Sequence, residues 1–297
     1  MKPAKIYLIL FILLISTSSV FATPPVALKI TDGVYAFVGS EGVATNSGFV
    51  VTEDGIVIID AQGPKNLALL LNEVIKEVTD KPVTHIINTH YHGDHTFGNQ
   101  YFPGVRAIIA HENTRKNLKE KDSAHRTKFK RFFGENSLMG FNLTLPDVTI
   151  TGNTTLRTGG VVFELLSPGP AHTDGDIYIY LPNEKVLFAG DLVYNGRLPW
   201  LGDADSFKWT AALDELHVLG VNAVIPGHGK PGGPNLIPAF KSYLVTLQTE
   251  VARLKKLGKD VETVKTEIRL PQYSSDDKYK EWLPFNAEKV YKELNRR

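Results

Sequence analysis

The chain has 297 residues, 42% hydrophobic and 22% charged, which is enough apolar material for a large core. Its 33 basic and 32 acidic residues nearly cancel, which excludes the global charge excess that draws a protein to nucleic acid. Cysteine is absent, so no disulfide staples the fold and no metal ligand can be a thiolate.

In chain order, Lys2 and Lys5 precede an apolar run over 6–15, then small polar residues over 16–19 and Val20-Phe21-Ala22 before Thr23-Pro24-Pro25. This is the pattern of a secretory signal peptide, with cleavage expected after Ala22. The apolar run is short of the ~20 residues that a membrane span needs. The expectation is a secreted or periplasmic chain with no stable membrane insertion after cleavage, divided into a signal peptide (1–22) and a single folded unit (23–297) with a C-terminal helical extension. Losing Lys2 and Lys5 takes the formal charge from +1 to about −1.

Apolar runs over 27–30, 34–38, 47–51 and 55–59, separated by turns at Thr31-Asp32-Gly33 and Thr52-Glu53-Asp54-Gly55, predict strands. Leu67, Leu70, Leu71, Val74 and Ile75 make one helical stripe over 66–78. A strand over 83–88 runs into Thr89-His90-Tyr91-His92-Gly93-Asp94-His95, and another follows over 105–110. Residues 111–130 read as a polar helix whose basic cluster, 115–131, is best taken as a solvated face; a flap over an anionic substrate or membrane surface is the sharper alternative. A second strand series is expected to open near Val148, over 148–151, 155–157, 161–166, 177–181 and 185–189. Helices are expected over 207–219 and 238–257 around a strand at 223–225, with last helical pieces at 261–266 and 286–295. Both halves run strands, helix, strand, which suggests two similar αβ layers facing each other.

The chemistry concentrates in loops. His90 and His92 share a side if strand geometry persists through them, and Asp94 and His95 fall on the turn beyond. His172 follows Ser167-Pro168-Gly169-Pro170-Ala171, Asp191 follows Ala189-Gly190, and His228 sits in Pro226-Gly227-His228-Gly229. Each lies just past a strand or in a glycine- or proline-rich turn, where open α/β sheets place ligand chemistry. Five imidazoles and two carboxylates are the inventory that two zinc ions need, with open positions left for water and substrate. His85 reads as core, His111 as a helix start, and His125 and His217 as ordinary helix-segment residues.

H-x-H-x-D-H, a later His, G-D and G-H-G occur in order, and on these motifs the chain resembles metallo-β-lactamase-fold hydrolases over nearly all of residues 26–232. The resemblance implies a four-layer αβ/βα sandwich with two Zn2+ per chain at the shared edge of two sheets. His90, His92 and His172 would hold the first ion, Asp94, His95 and His228 the second, and Asp191 would bridge them. Asp60 would brace the metal loop from behind. The implied reaction is attack of a metal-bound hydroxide on an amide, ester or thioester carbonyl of a small-molecule substrate, with Asp94 as the catalytic residue that orients the nucleophile and shuttles its proton. Ser40-Glu41-Gly42-Val43 resembles the hairpin loop that overhangs the site in family β-lactamases. Tyr194, Arg197 and Trp200 should line the same mouth, Arg197 to pair with a substrate carboxylate and the rings to pack on it; an ordinary surface-loop role is equally compatible. Family β-lactamases commonly place a Cys at the second metal, so this ligand set is closer to glyoxalase II-like enzymes, whereas export fits β-lactamases. An iron-dependent persulfide dioxygenase, a phosphodiesterase of the same fold and a non-catalytic binding protein are the alternatives. The near-neutral charge offers no phosphate funnel, and no ligand of the motif set is missing.

Overall fold

The structure is a computed structural model that describes residues 27–39 and 45–297. The signal-peptide pattern over 1–22 and the loop over 40–43 lie outside the described residues.

The first sheet begins as an antiparallel meander of β1 (Ala27–Thr31), β2 (Val34–Phe37), β3 (Ser47–Thr52) and β4 (Gly55–Ile59). Helix α1 (Lys65–Val78) then crosses over to β5 (Val83–Ile87), which lies parallel to β4. A one-turn helix α2 (Gly93–Thr96) precedes β6 (Ala107–His111), and α3 (Glu112–Glu120) and α4 (Asp122–Phe133) lead to β7 (Val148–Ile150). The second sheet runs β8 (Thr154–Thr158), β9 (Val161–Leu166), β10 (Tyr178–Leu181) and β11 (Val186–Tyr194), all antiparallel. Helix α5 (Ser206–His217) then returns the chain to β12 (Ala223–His228), parallel to β11. Helices α6 (Leu236–Lys256), α7 (Val261–Glu267) and α8 (Tyr279–Leu294) complete the described chain.

The layering follows from side-chain alternation along buried strands. Ile56 and Ile58 of β4 join Ala68, Leu71, Val74 and Ile75 of α1 in one cluster. Their neighbours Val57 and Ile59 point the other way, against Phe163, Leu165, Ile179 and Phe188 of the second sheet. Leu187, Ala189 and Val224 cover that sheet's outer face together with Trp209 of α5, Leu244, Leu247 and Val251 of α6, and Leu283 and Val290 of α8. The result is the helix–sheet–sheet–helix sandwich expected from the motifs. Strands covered on both faces read as unbroken apolar runs, as Gly55–Ile59 does.

Several boundaries differ from the sequence reading. The strand at Val148 does not open the second half; Val148 to Ile150 pair in parallel with Ile109 to His111 and close the first sheet. Periodicity marks a strand but not its hydrogen-bonding partner. The single helix expected over 111–130 is two, broken at Lys121. The last helix starts at Tyr279 and carries Pro284 inside it, the residue that makes a start beyond it look natural. The strand expected to stop at Ala189 continues to Tyr194, so Asp191 lies within β11 and not after it. No described helix is long and apolar enough to cross a membrane.

Candidate metal centre

The metal loop leaves the C-terminal end of β5, and Asp60, at the end of β4, is the hub behind it. Asp60 is buried and holds φ +58, a left-handed conformation that costs a non-glycine residue energy. Its carboxylate accepts hydrogen bonds from Thr89 N (2.8 Å) and Thr89 Oγ1 (2.7 Å), and faces His95 Nδ1 at 2.8 Å. With its own proton given to Asp60, Thr89 Oγ1 is the acceptor for His90 Nδ1 at 3.0 Å. One carboxylate thus orients both rings, and for His90 it fixes the tautomer, keeping the proton on Nδ1 and leaving the Nε2 lone pair facing the site. His92 is turned the opposite way: Nδ1 faces His172 Nε2 at 3.0 Å while Nε2 faces Asp203 Oδ2 at 3.1 Å.

The second sheet supplies the rest. Register shifts on both sides of Gly190 bend β11 beside β12 and aim Asp191 into the space above the metal loop. Gly190 has φ +51, and a Cβ there would lie 2.6 Å from Thr89 Oγ1. Gly227 passes so close that a Cβ would lie 1.9 Å from Asp191 Oδ1. His172 sits in the β9–β10 connection, held by a turn in which Asp176 accepts from Thr173 N (2.8 Å) and Thr173 Oγ1 (2.5 Å). His228 ends β12.

All seven residues singled out by the motifs converge in two groups that can hold a metal. One is His90, His92, His172 and Asp191; the other is Asp94, His95 and His228, with ligand atoms inside each group within 4.8 Å of one another. Asp191 faces both. Its Oδ2 lies 3.3 Å from His172 Nε2 and 3.8 Å from His90 Nε2, and its Oδ1 lies 3.1 Å from His95 Nε2 and 3.5 Å from His228 Nε2. Tetrahedral ligands 2.0–2.1 Å from an ion stand ~3.3 Å apart, so these spacings fit a metal between them. His90 Nε2 is buried and makes no hydrogen bond, an arrangement costing about 1–3 kcal/mol unless a cation meets the lone pair.

The electrostatics of His90 and His172 agree. Burial holds His90 well below the ordinary imidazole value, with His95 adding to it, and holds His172 at about 3 against the pull of Asp191. Both are therefore neutral, the form that binds metal. Burial alone would raise the pKa of Asp94 and Asp191, yet His95 and His228 hold both carboxyls well below their usual range. Against the same burial, Asp191, Asp60 and Asp94 carry His95 well above the usual imidazole value.

Tyr194 donates its hydroxyl to Asp191 and stacks on His228 with centroids 5.2 Å apart. Arg197 and Trp200 line the same cavity, which opens to solvent. Arg197 is buried, tied to Asp277 (3.8 Å) and laid over the Trp282 ring (4.8 Å), so the C-terminal extension holds the cavity rim. Sequence reasoning missed Asp203 behind His92, and Thr45, whose hydroxyl lies 3.1 Å from Asp94 Oδ2 and 2.7 Å from His95 Nε2. It also missed the α4 wall of His125, Lys128, Phe129 and Phe132. The spacing of those four residues was a readable signal; Thr45 and Asp203 carried none.

Residues 41–228, more than half of the chain, match the family model of the metallo-beta-lactamase superfamily. The chain is 29% identical over 207 residues to a metallo-beta-lactamase type 2 of Bacillus sp. (strain 170), covering 68% of this chain and 73% of the relative. It is also 29% identical over 204 residues to the 2,4-dinitroanisole O-demethylase subunit alpha of Nocardioides sp. (strain JS1661), covering 67% of this chain and 54% of that one. Among solved structures, a metallo-beta-lactamase from Pontibacter korlensis superposes with a TM-score of 0.62 at 26% identity, covering 74% of this chain and 98% of its own. Matching fold, motif order and family model together, the chain belongs to the metallo-beta-lactamase superfamily.

Proposed function

We propose that this protein is an exported dizinc hydrolase that cleaves an amide, ester or thioester bond of a small substrate, β-lactams among the candidates. The observation that carries the reading is the Asp191 carboxylate, which offers one oxygen to each of two ligand groups. In this reading His90, His92 and His172 hold one ion, and Asp94, His95 and His228 hold the other. Zinc bound there would act as a Lewis acid and lower the pKa of a bound water from near 16 toward ~7. Asp94 Oδ2 faces His95 and His228, which leaves Oδ1 to orient the attacking water and take its proton. Its depressed pKa keeps it a carboxylate at neutral pH. Tyr194, Arg197 and Trp200 are the proposed substrate contacts, since all three line the cavity over the ligands. Export rests on the signal-peptide pattern over 1–22, and N-terminal sequencing of the mature protein starting at Thr23 would support it.

The test is zinc-loaded protein assayed against nitrocefin, a lactone, a glutathione thioester and a phosphodiester. Hydrolysis of at least one acyl substrate is expected, with Asp94→Asn lowering the rate about 10²–10⁴-fold while the fold is kept. Cleavage of the phosphodiester alone, or full activity of Asp94→Asn, overturns the reading.

A further inference from the structure

The proposed reaction leaves the α4 side of the cavity without a task. His125, Lys128, Phe129 and Phe132 follow one another at i, i+3, i+4 and i+7, so they share a single helix face, and that face lines the cavity. Trp200 and Trp282 line the same cavity. The wall is therefore aromatic, with one flexible cation set into it. Lys128 Nζ lies 3.9 Å above the Trp200 ring and 4.0 Å from Asp203 Oδ2, a separation beyond hydrogen-bond reach. Asp203 meanwhile stands 3.1 Å from His92 Nε2. The other cation at the cavity, Arg197, is held on Asp277 and Trp282.

We propose that this wall is a recognition site for a substrate that joins an aryl or bulky alkyl group to an anionic group, with Lys128 as the anion contact and the α4 and tryptophan rings as the apolar bed. The site deepens the hydrolase reading and rests on it for its purpose. Lys128 is two-thirds shielded, with 33% of its side chain exposed, so an anion entering the cavity meets an ammonium in a partly dry, ring-lined space where a charged contact is worth more than at the surface. A neutral substrate of the same shape gains only the rings. Lys128 thus sets specificity, and the bond to be cleaved reaches the ligand groups that line the same cavity.

The test reads binding, so it is independent of turnover. Two of the three tryptophans line the cavity, which makes intrinsic fluorescence of the zinc-loaded protein a direct probe. The ligands are 4-phenylbutyrate and its neutral analogue 4-phenylbutanol. The expected result is about tenfold preference for the carboxylate in the unaltered chain. Lys128→Ala should remove the preference, Lys128→Arg should keep most of it, and Phe132→Ala should weaken both ligands alike. A preference that survives in Lys128→Ala places the anion elsewhere, on the metals or on Arg197, and overturns the proposal, as does the absence of any preference. Should no acyl substrate be hydrolysed while the Lys128-dependent preference stands, the hydrolase reading fails and the recognition site does not.

Discussion

At the scale of single residues, the centre depends on groups that never face the substrate. Asp60 orients two imidazoles through Thr89 and His95, and accepts the strain of a left-handed backbone to do so. Replacing Asp60 with Asn should keep the fold but lower zinc affinity about 10–100-fold, read by competition with a chelating dye; an unchanged affinity would remove Asp60 from this role. Asp176 makes a pH prediction. Burial pushes its carboxyl from 3.8 up to about 7 although Thr173 donates two hydrogen bonds to it. The folded chain therefore keeps a proton that the unfolded chain has released across that interval. The contribution is whole below pH 3.8 and lost as the pH rises past about 7. The melting temperature of the unaltered chain should fall relative to that of Asp176→Asn as pH rises through this window, and parallel curves would contradict the shift. The seven residues of the two candidate ligand groups were legible because histidine and aspartate at loop spacing have few structural reasons to cluster. Thr45 and Asp203 were not, because they come near the ligands only through folding.

At the scale of elements, the site needs β11 and β12 to approach more closely than ordinary residues allow. Gly227→Ala would drive a Cβ into the Asp191 carboxylate and the backbone at Gly190, neither of which can swing away. Zinc retention should fall sharply and the melting temperature with it; a variant that binds zinc normally would show that the strands can part at little cost. The C-terminal helix has an equally specific task. Buried Asn286 donates to Pro199 O (2.9 Å) and to Tyr243 Oη (3.0 Å), joining α8 to the cavity rim and to α6. Asn286→Ala should cost about 1–3 kcal/mol in urea unfolding by leaving those partners buried and unpaired. Strands and helices with strong periodicity were readable here, as Leu67 to Ile75 of α1 were. The edge strand β7 and the Pro284 helix were misplaced because partner choice and tertiary packing decided them. The α4 wall was hidden for a related reason: its basic residues dominated the reading, while Phe129, Phe132 and His125 needed a facing surface to acquire meaning.

At the scale of the whole molecule, the two sheets meet twice, through an apolar interior and through the centre at their shared edge. The first sheet and its loops bring His90, His92, Asp94 and His95, and the second brings His172, Asp191 and His228. Metal bound there would tie the halves together and should stabilise the chain by mass action, by about 2.7 kcal/mol at a free concentration of 100 times Kd. Chelation should lower the melting temperature accordingly. The sandwich was legible because two runs of strands, each covered by helices, have few other ways to bury their faces. The measurement closest to the central claim is elemental analysis of the purified chain beside its Asp191→Ala variant. A shared carboxylate between two ligand groups predicts about two zinc ions per chain in the first and a marked loss in the second. Iron alone, no retained metal, or an unchanged content in Asp191→Ala would contradict it.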